Sequence, residues 1–337
     1  MAFIQVEDLT KEFKQAVKKP GLSGALRHIF VPNYTEKLAV DHINLEIEKG
    51  ETVAYVGPNG AGKSTTIKML TGVLVPTSGH ITVDGLIPCK QRMENAQKIG
   101  VVFGQRTQLW WDIPVSESLS LLKDIYEIPD AVYRQNMDRF VEMLGLNEFM
   151  HLSARKISLG QRMRADLAAA MLHNPQVIYL DEPTIGLDIA VKVKIRDFIK
   201  QINRENGTTV MLTTHDLDDI EDICKRLVII DQGKIIYDGE LEAVKDAFAT
   251  DRTIHFTVKN EIPALSEIVS QMEAAVLEEN QALNFSIRFN RFKMTAGEII
   301  STVIKHGEVA DIRIDEPQIE QIIRQVYSGD LKLNMMN

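Results

Sequence analysis

An apolar, β-branched run, Thr52-Val53-Ala54-Tyr55-Val56, leads directly into Gly57-Pro58-Asn59-Gly60-Ala61-Gly62-Lys63-Ser64-Thr65, and that loop opens onto the helical pattern Thr66-Ile67-Lys68-Met69-Leu70. The spacing G-x-x-x-x-G-K-[ST] between a strand and a helix has a physical meaning. Glycines let the backbone turn its N–H groups inward around a polyphosphate, Lys63 neutralises the outer phosphates and Ser64 offers a hydroxyl to Mg2+. The positive end of the helix dipole points at the same place. The glycines alone could serve a bare tight turn, but a strand before, a helix after and a complete spacing argue for a bound nucleoside triphosphate with magnesium. What its energy drives must be read from the rest of the chain.

At 337 residues the chain exceeds what one hydrophobic core usually serves, so two domains are expected. A balance of 38 basic against 47 acidic side chains, net −9, speaks against a general nucleic-acid binder. Cys89 and Cys224 lie far apart without metal-type spacing, which points to a reducing compartment and no disulfide framework. The start, Met1-Ala2-Phe3-Ile4-Gln5-Val6-Glu7, lacks the features of a signal peptide. No run approaches the roughly 20 apolar residues that span a bilayer. The chain is therefore expected to be cytoplasmic, any membrane spans coming from another chain.

Short continuous apolar runs at 177–180, 208–212 and 227–230 read as buried sheet strands, and with 3–6, 45–47 and 52–56 they alternate with helical patterns in α/β order. An alanine-rich helix over 162–172 stops at His173-Asn174-Pro175. Asp181-Glu182 follows the 177–180 strand, at the carboxyl edge where open α/β sheets bind ligands. Asp181 is assigned to the metal and Glu182 to the base that activates water. In isolation the pair could be a polar turn; beside a phosphate loop that becomes the weaker reading.

Further elements fall in order after these. Gln105 follows Val101-Val102-Phe103-Gly104, then come Ile157-Ser158-Leu159-Gly160-Gln161, Pro183-Thr184-Ile185-Gly186-Leu187-Asp188 and Thr213-Thr214-His215-Asp216. Taken together, from residue 3 to about 245, the chain resembles the ATP-binding cassette (ABC) ATPases, the motor subunits of membrane transporters, and within them the ATP-binding proteins of bacterial ABC-2 type exporters. The resemblance implies a P-loop fold with a RecA-like core, an antiparallel β subdomain and a helical subdomain over about 106–172. It implies a homodimer closed head to tail on ATP and Mg2+, with Ser158, Gly160 and Gln161 of one copy meeting the nucleotide held by Lys63 of the other. Gln105 would sense the metal and the γ-phosphate, His215 would hold the γ-phosphate and water, Asp188 would communicate across the dimer, and Phe13 would stack on adenine. A separate permease is implied, with the chain on the cytoplasmic face of a bacterial membrane and no nucleic-acid partner. Two departures stand out: Leu159 replaces the family's usual glycine, and Phe13 its usual tyrosine.

Residues 14–37 form a longer connection than the family's, and 11–37 carry six Lys/Arg against two acids. Within it, 22–30 could form an amphipathic turn that touches anionic headgroups or the permease. Trp110-Trp111 could divide between the helical subdomain and a groove for the permease, or both could be core. From 250 to 329 strands at 253–258, 283–289 and 309–314 alternate with helices at 264–272, 296–306 and 319–327, a ferredoxin-like α+β accessory domain, before a flexible tail at 330–337. An importer ATPase with a sensory tail and a soluble cassette acting on DNA or ribosomes are the competing functions. A GTPase is disfavoured by the lack of an Asn-Lys-x-Asp motif.

Overall fold

A computed structural model describes residues 2–16, 34–104, 106–248 and 251–315. The chain divides into two compact units, with the boundary along the chain between Gly239 and Glu240. The proposed turn at 22–30, Gln105, the 319–327 helix and the 330–337 tail lie outside the described residues.

In the first unit β1 (Ile4–Ala16) and β2 (Tyr34–Ile47) pair antiparallel from Ile4 opposite Ile47 to Ala16 opposite Tyr34. Residues 14–16 and 34–37, expected within the basic insertion, are thus strand. Their polar sequence carries no period-2 apolar signal, and what makes them strand is the backbone pairing itself, with Lys14 opposite Glu36. Then come β3 (Thr52–Val56), buried throughout, α1 (Lys63–Leu70), β4 (Ser78–Val83), α2 (Arg92–Lys98) and β5 (Ile99–Phe103). Helices α3 (Val115–Ile125), α4 (Asp130–Leu144) and α5 (Leu159–Met171) follow, then β6 (Val177–Asp181), α6 (Ile189–Asn206), β7 (Thr209–Thr213), α7 (Leu217–Ile223), β8 (Arg226–Asp231) and β9 (Lys234–Glu240).

Strands β2-β1-β4 make an antiparallel sheet, and β5-β6-β7-β3-β8-β9 a second sheet whose first five strands pair parallel. The two-residue turn Gln232-Gly233, with φ of 46° and 82°, folds β8 back into β9. One apolar cluster joins Ile4, Leu9 and Ile43 of the first sheet to Tyr55, Tyr179 and Met211 of the second and to Ile67 of α1. The layout matches what the resemblance implies: a parallel core sheet, an antiparallel β sheet and a group of helices between β5 and β6.

Helix α5 begins three residues before the 162–172 pattern, because Ser158 caps it. The Ser158 hydroxyl accepts from the Gln161 N–H at 3.2 Å while the Gln161 Oε1 accepts from the Ser158 N–H at 2.9 Å. Phe140 of α4 is fully buried and meets the Phe198 ring of α6 edge-on, centroids 5.4 Å apart.

The second unit contains α8 (Leu241–Phe248), β10 (Asp251–Val258), α9 (Leu265–Ser270), β11 (Ala275–Gln281), β12 (Asn284–Asn290), α10 (Ala296–His306) and β13 (Val309–Asp315). Its antiparallel sheet has the order β11-β12-β10-β13, the ferredoxin-like β-α-β-β-α-β arrangement. Ile254, Phe256, Phe285, Ile287, Ile299 and Val303 form its core. Strand β11 was not foreseen. It is an edge strand whose second half, Glu278-Glu279-Asn280-Gln281, is made of poor strand formers, and pairing with β12 holds it extended. No helix among the described residues is long and apolar enough to cross a membrane.

Phe140→Ala removes the ring that joins α4 to α6 and should lower the stability of the first unit by about 3–5 kcal/mol, read from urea unfolding of the full chain.

Candidate active site

Because β3, β5, β6 and β7 run parallel, their carboxyl ends share one edge, and register sets Phe103 beside Asp181 and Asp181 beside Thr213. The Gly57–Thr65 loop closes over that edge from the end of β3. A Cβ on Gly57 would stand 2.3 Å from the Ile230 carbonyl oxygen, and one on Gly62, whose φ is 114°, 2.5 Å from that of Ala39. Only glycine fits at either place. Buried Ala61 is held on both sides: its N–H donates to the Pro58 carbonyl at 3.1 Å and its own carbonyl accepts from the Gly233 N–H at 2.9 Å. Lys63 is 8% exposed, and its Nζ donates to the carbonyls of Gly57 at 2.5 Å and Pro58 at 3.2 Å. Burial lowers its pKa, against the pull of the Glu182 and Asp181 carboxylates.

The loop borders a cleft of about 880 Å3, into which Asn59, Gly60, Gly62, Lys63, Ser64 and Thr65 face. Lys37, Lys68 and Arg106 line it as well and give it a basic wall suited to a polyphosphate. Phe13, 40% exposed, lies on its rim, with Lys11 Nζ over the ring 5.3 Å from its centroid.

Asp181 uses both carboxylate oxygens. Oδ2 accepts from the Ser64 hydroxyl at 2.9 Å and Oδ1 from the Thr213 hydroxyl at 2.6 Å, while its carbonyl accepts from the Gly104 N–H at 2.8 Å. The Ser64 hydroxyl and the Asp181 carboxylate are hard oxygen donors side by side, the set Mg2+ takes when nucleotide phosphates complete its shell. Glu182 follows with φ of 56°, left-handed for a residue with a side chain, and is pinned there by its N–H donating to the Thr213 carbonyl at 2.9 Å. That turn sends its carboxylate back into the cleft, 3.1 Å from His215 Nε2. Burial raises the Glu182 pKa, with Lys63 pulling it down and Asp181 pushing it up; burial, seconded by Lys63, lowers that of His215. At neutral pH the imidazole is therefore uncharged, and the His215 backbone favours the charged form of the carboxylate beside it. A carboxylate so held, beside a cationic phosphate cradle, can accept a proton from water.

Asp219, absent from the sequence reading, supports both loops around this pair. It is fully buried and accepts from the hydroxyls of Thr184, in the loop after Glu182, and Thr214, next to His215, at 3.3 Å for the latter, with Arg196 Nη1 at 3.4 Å. Asp216 caps α7 and pairs with Lys192. An acid one helical turn after His215 was the available signal, but nothing in sequence tells such an acid from a solvated one.

Ser158, Gly160 and Gln161 are not among the residues lining the cleft of their own chain. Ser158 is exposed at the start of α5, and the Gln161 amide oxygen is committed to the cap. Leu159, 38% exposed, reaches within 3.5 Å of where a Gly186 Cβ would stand, and Val191 lies 3.3 Å from the Gly160 Cβ position. The signature segment therefore rests on the loop that ends at Asp188, whose side chain caps α6 by accepting from the Val191 N–H at 3.0 Å. Trp110 and Trp111 are 41% and 53% exposed, so neither is a core residue.

The family profile described as ABC transporter matches residues 40–185. The linearmycin resistance ATP-binding protein LnrL of Bacillus subtilis (strain 168) is 30% identical over 303 residues, covering 89% of this chain and 96% of the relative. The methionine import ATP-binding protein MetN of Geobacillus kaustophilus (strain HTA426) is 34% identical over 60% of this chain and 60% of its own length. Among solved structures, a dimeric post-hydrolysis state of an ATP-binding cassette bound to ADP and Pi superposes with a TM-score of 0.59 at 27% identity, covering 71% of this chain and 98% of that one.

In the free protein the Glu182 carboxyl should titrate above the ordinary 4.5 of a glutamate, and Lys63→Met, which removes the cation opposing that shift, should move it higher still. Carboxyl carbon NMR reads both; a midpoint that falls in Lys63→Met would contradict this electrostatic arrangement.

Proposed function

The chain belongs to the ABC transporter ATPase family, and from that premise we propose that two copies close head to tail on ATP and thereby drive a separate membrane permease in the direction of export. The protein is the ATP-hydrolysing subunit of a transporter. In the proposed cycle the Gly57–Gly62 amides and Lys63 hold the β- and γ-phosphates and Phe13 stacks on the base; Ser64 and Asp181, with Gln105 by the resemblance, would hold Mg2+, which when bound would neutralise charge on the phosphates. Glu182 takes the proton of the attacking water, and His215 keeps that carboxylate and the γ-phosphate in place.

The observation that carries the two-copy reading is the position of Ser158. Its hydroxyl, the N–H groups that follow and the positive end of α5 form an anion-binding helix start that the chain's own cleft does not use. A second copy, reversed, would set it on the γ-phosphate held by Lys63, with Asp188 at the seam. ATP then binds the closed pair far better than the open one, and loss of the γ-phosphate contact on hydrolysis lets the copies part.

Export is favoured by the breadth of the likeness to LnrL: a match over 303 residues runs past Gly239 into the second unit. Import with a sensory second unit is the other reading, favoured by the likeness to MetN. Peripheral association with the inner face of a bacterial membrane follows from either. Vesicles carrying the chain with the membrane protein that copurifies with it separate the two by the side on which ATP-driven cargo accumulates.

Glu182→Gln should lower ATP turnover by at least about 100-fold while leaving an ATP-dependent dimer detectable by sedimentation. Mixed with a Ser158→Ala copy it should form heterodimers with one competent and one defective site. Retained hydrolysis in Glu182→Gln would refute the assignment of the base.

A further inference from the structure

Helix α5 carries Ser158 at its start and one acidic residue, Asp166, in the middle of a run of alanines. Asp166 is only 3% exposed; Arg162, one turn earlier on the same helix, favours its charge, but its side-chain hydrogen bonds leave the helix. Its Oδ1 accepts from the Thr107 hydroxyl and from the Gln108 N–H, both at 2.9 Å. The Gln108 side chain returns the contact, donating to the Val101 carbonyl at 3.0 Å and the Asp166 carbonyl at 3.4 Å. Thr107 and Gln108 directly follow Arg106, which with Gly104 lines the nucleotide cleft. The ribbon continues to Trp111, whose carbonyl accepts from the Arg155 N–H at 3.1 Å and whose ring lies 5.8 Å from the Arg162 guanidinium, and to Asp112, paired with Arg155 at 3.0 Å. Arg155 and Arg162 flank the signature on either side.

We propose that Asp166 is a positioning residue: it latches the ribbon leaving the nucleotide cleft to the Ser158 helix, so that the state of one copy's cleft sets where that copy presents Ser158 to its partner's nucleotide. This rests on the two-copy reading above. Ser158 stands eight residues before Asp166, about 12 Å along a rigid helix axis, so a displacement of Thr107 and Gln108 is carried to it without loss. The chemistry fits a coupling role better than a stabilising one. Burial lifts the Asp166 carboxyl to about 6, which means that its charged form, present at neutral pH, is held at a cost to the fold. An apolar residue among those alanines would suit packing alone.

The test uses the full chain with Glu182→Gln, so that ATP is not consumed, and adds Asp166→Leu, Asp166→Asn or Thr107→Val. Sedimentation with Mg-ATP gives the dimer constant, a fluorescent ATP analogue at low protein concentration gives monomer affinity, and calorimetry gives the melting temperature. Asp166→Leu should weaken the dimer by at least about tenfold, the scale of one lost charge-assisted hydrogen bond, with monomer affinity within about twofold and melting unchanged or raised. Asp166→Asn keeps an oxygen acceptor and should dimerise nearly as the parent does, and Thr107→Val should fall between. An Asp166→Leu dimer as tight as the parent's overturns the latch, as does a loss of monomer affinity or an early melt in both Asp166→Leu and Thr107→Val. A parent that stays monomeric with ATP overturns the two-copy reading and the latch with it.

Discussion

The Asp181 carboxylate, with Ser64 on one oxygen and Thr213 on the other, is the interaction on which the rest of the site depends. It ties the end of β6 to the start of α1 and to the end of β7, and its carbonyl holds the turn after β5. This is possible only because the sheet is parallel, which brings every strand's carboxyl end to one edge. The same edge forces the chain to turn sharply after β6, and that turn places Glu182 at positive φ with its carboxylate back against His215.

A motif of tertiary structure repeats around this centre. Asp181 holds Thr213, Asp219 holds Thr184 and Thr214, and Asp166 holds Thr107. Asp219 and Asp166 are buried acids that take the hydroxyls of threonines on neighbouring loops, and half-buried Asp181 takes that of the last residue of β7. Threonine is stiff at χ1, so a single such bond locates a loop well. A hydrogen bond to a charged group contributes roughly 1.5–3 kcal/mol when complete, and leaving the acid unpaired costs more, so these loops have few alternative positions. The surroundings of the cleft are thereby divided into pieces that are each internally fixed.

The second unit is built on other terms. Its core is a single apolar layer of Ile254, Phe256, Phe285 and Ile287 against Ile299 and Val303, with helix α10 started by a Thr295–Glu298 capping box. Three of its strands were visible as alternating apolar runs. The fourth, β11, was hidden because an edge strand tolerates an exposed second half, Glu278 to Gln281, with little apolar signal. The ends of β1 and β2 were hidden for a related reason: strands that pair mainly with each other need no buried face to betray them.

By itself the sequence determined where the glycine-rich loop joins a strand to a helix, that Asp181 and Glu182 follow the 177–180 strand, and the alternation of strands and helices. These are local properties, set by backbone geometry and by residues adjacent in the chain. Tertiary structure alone decided that Thr213 shares Asp181 with Ser64, that Asp219 supports both loops around Glu182, and that Asp166 grips Thr107 and Gln108 nearly 60 residues away. Such pairings depend on which strand lies beside which, and strand order is a long-range choice made by packing, not by any residue's own preference.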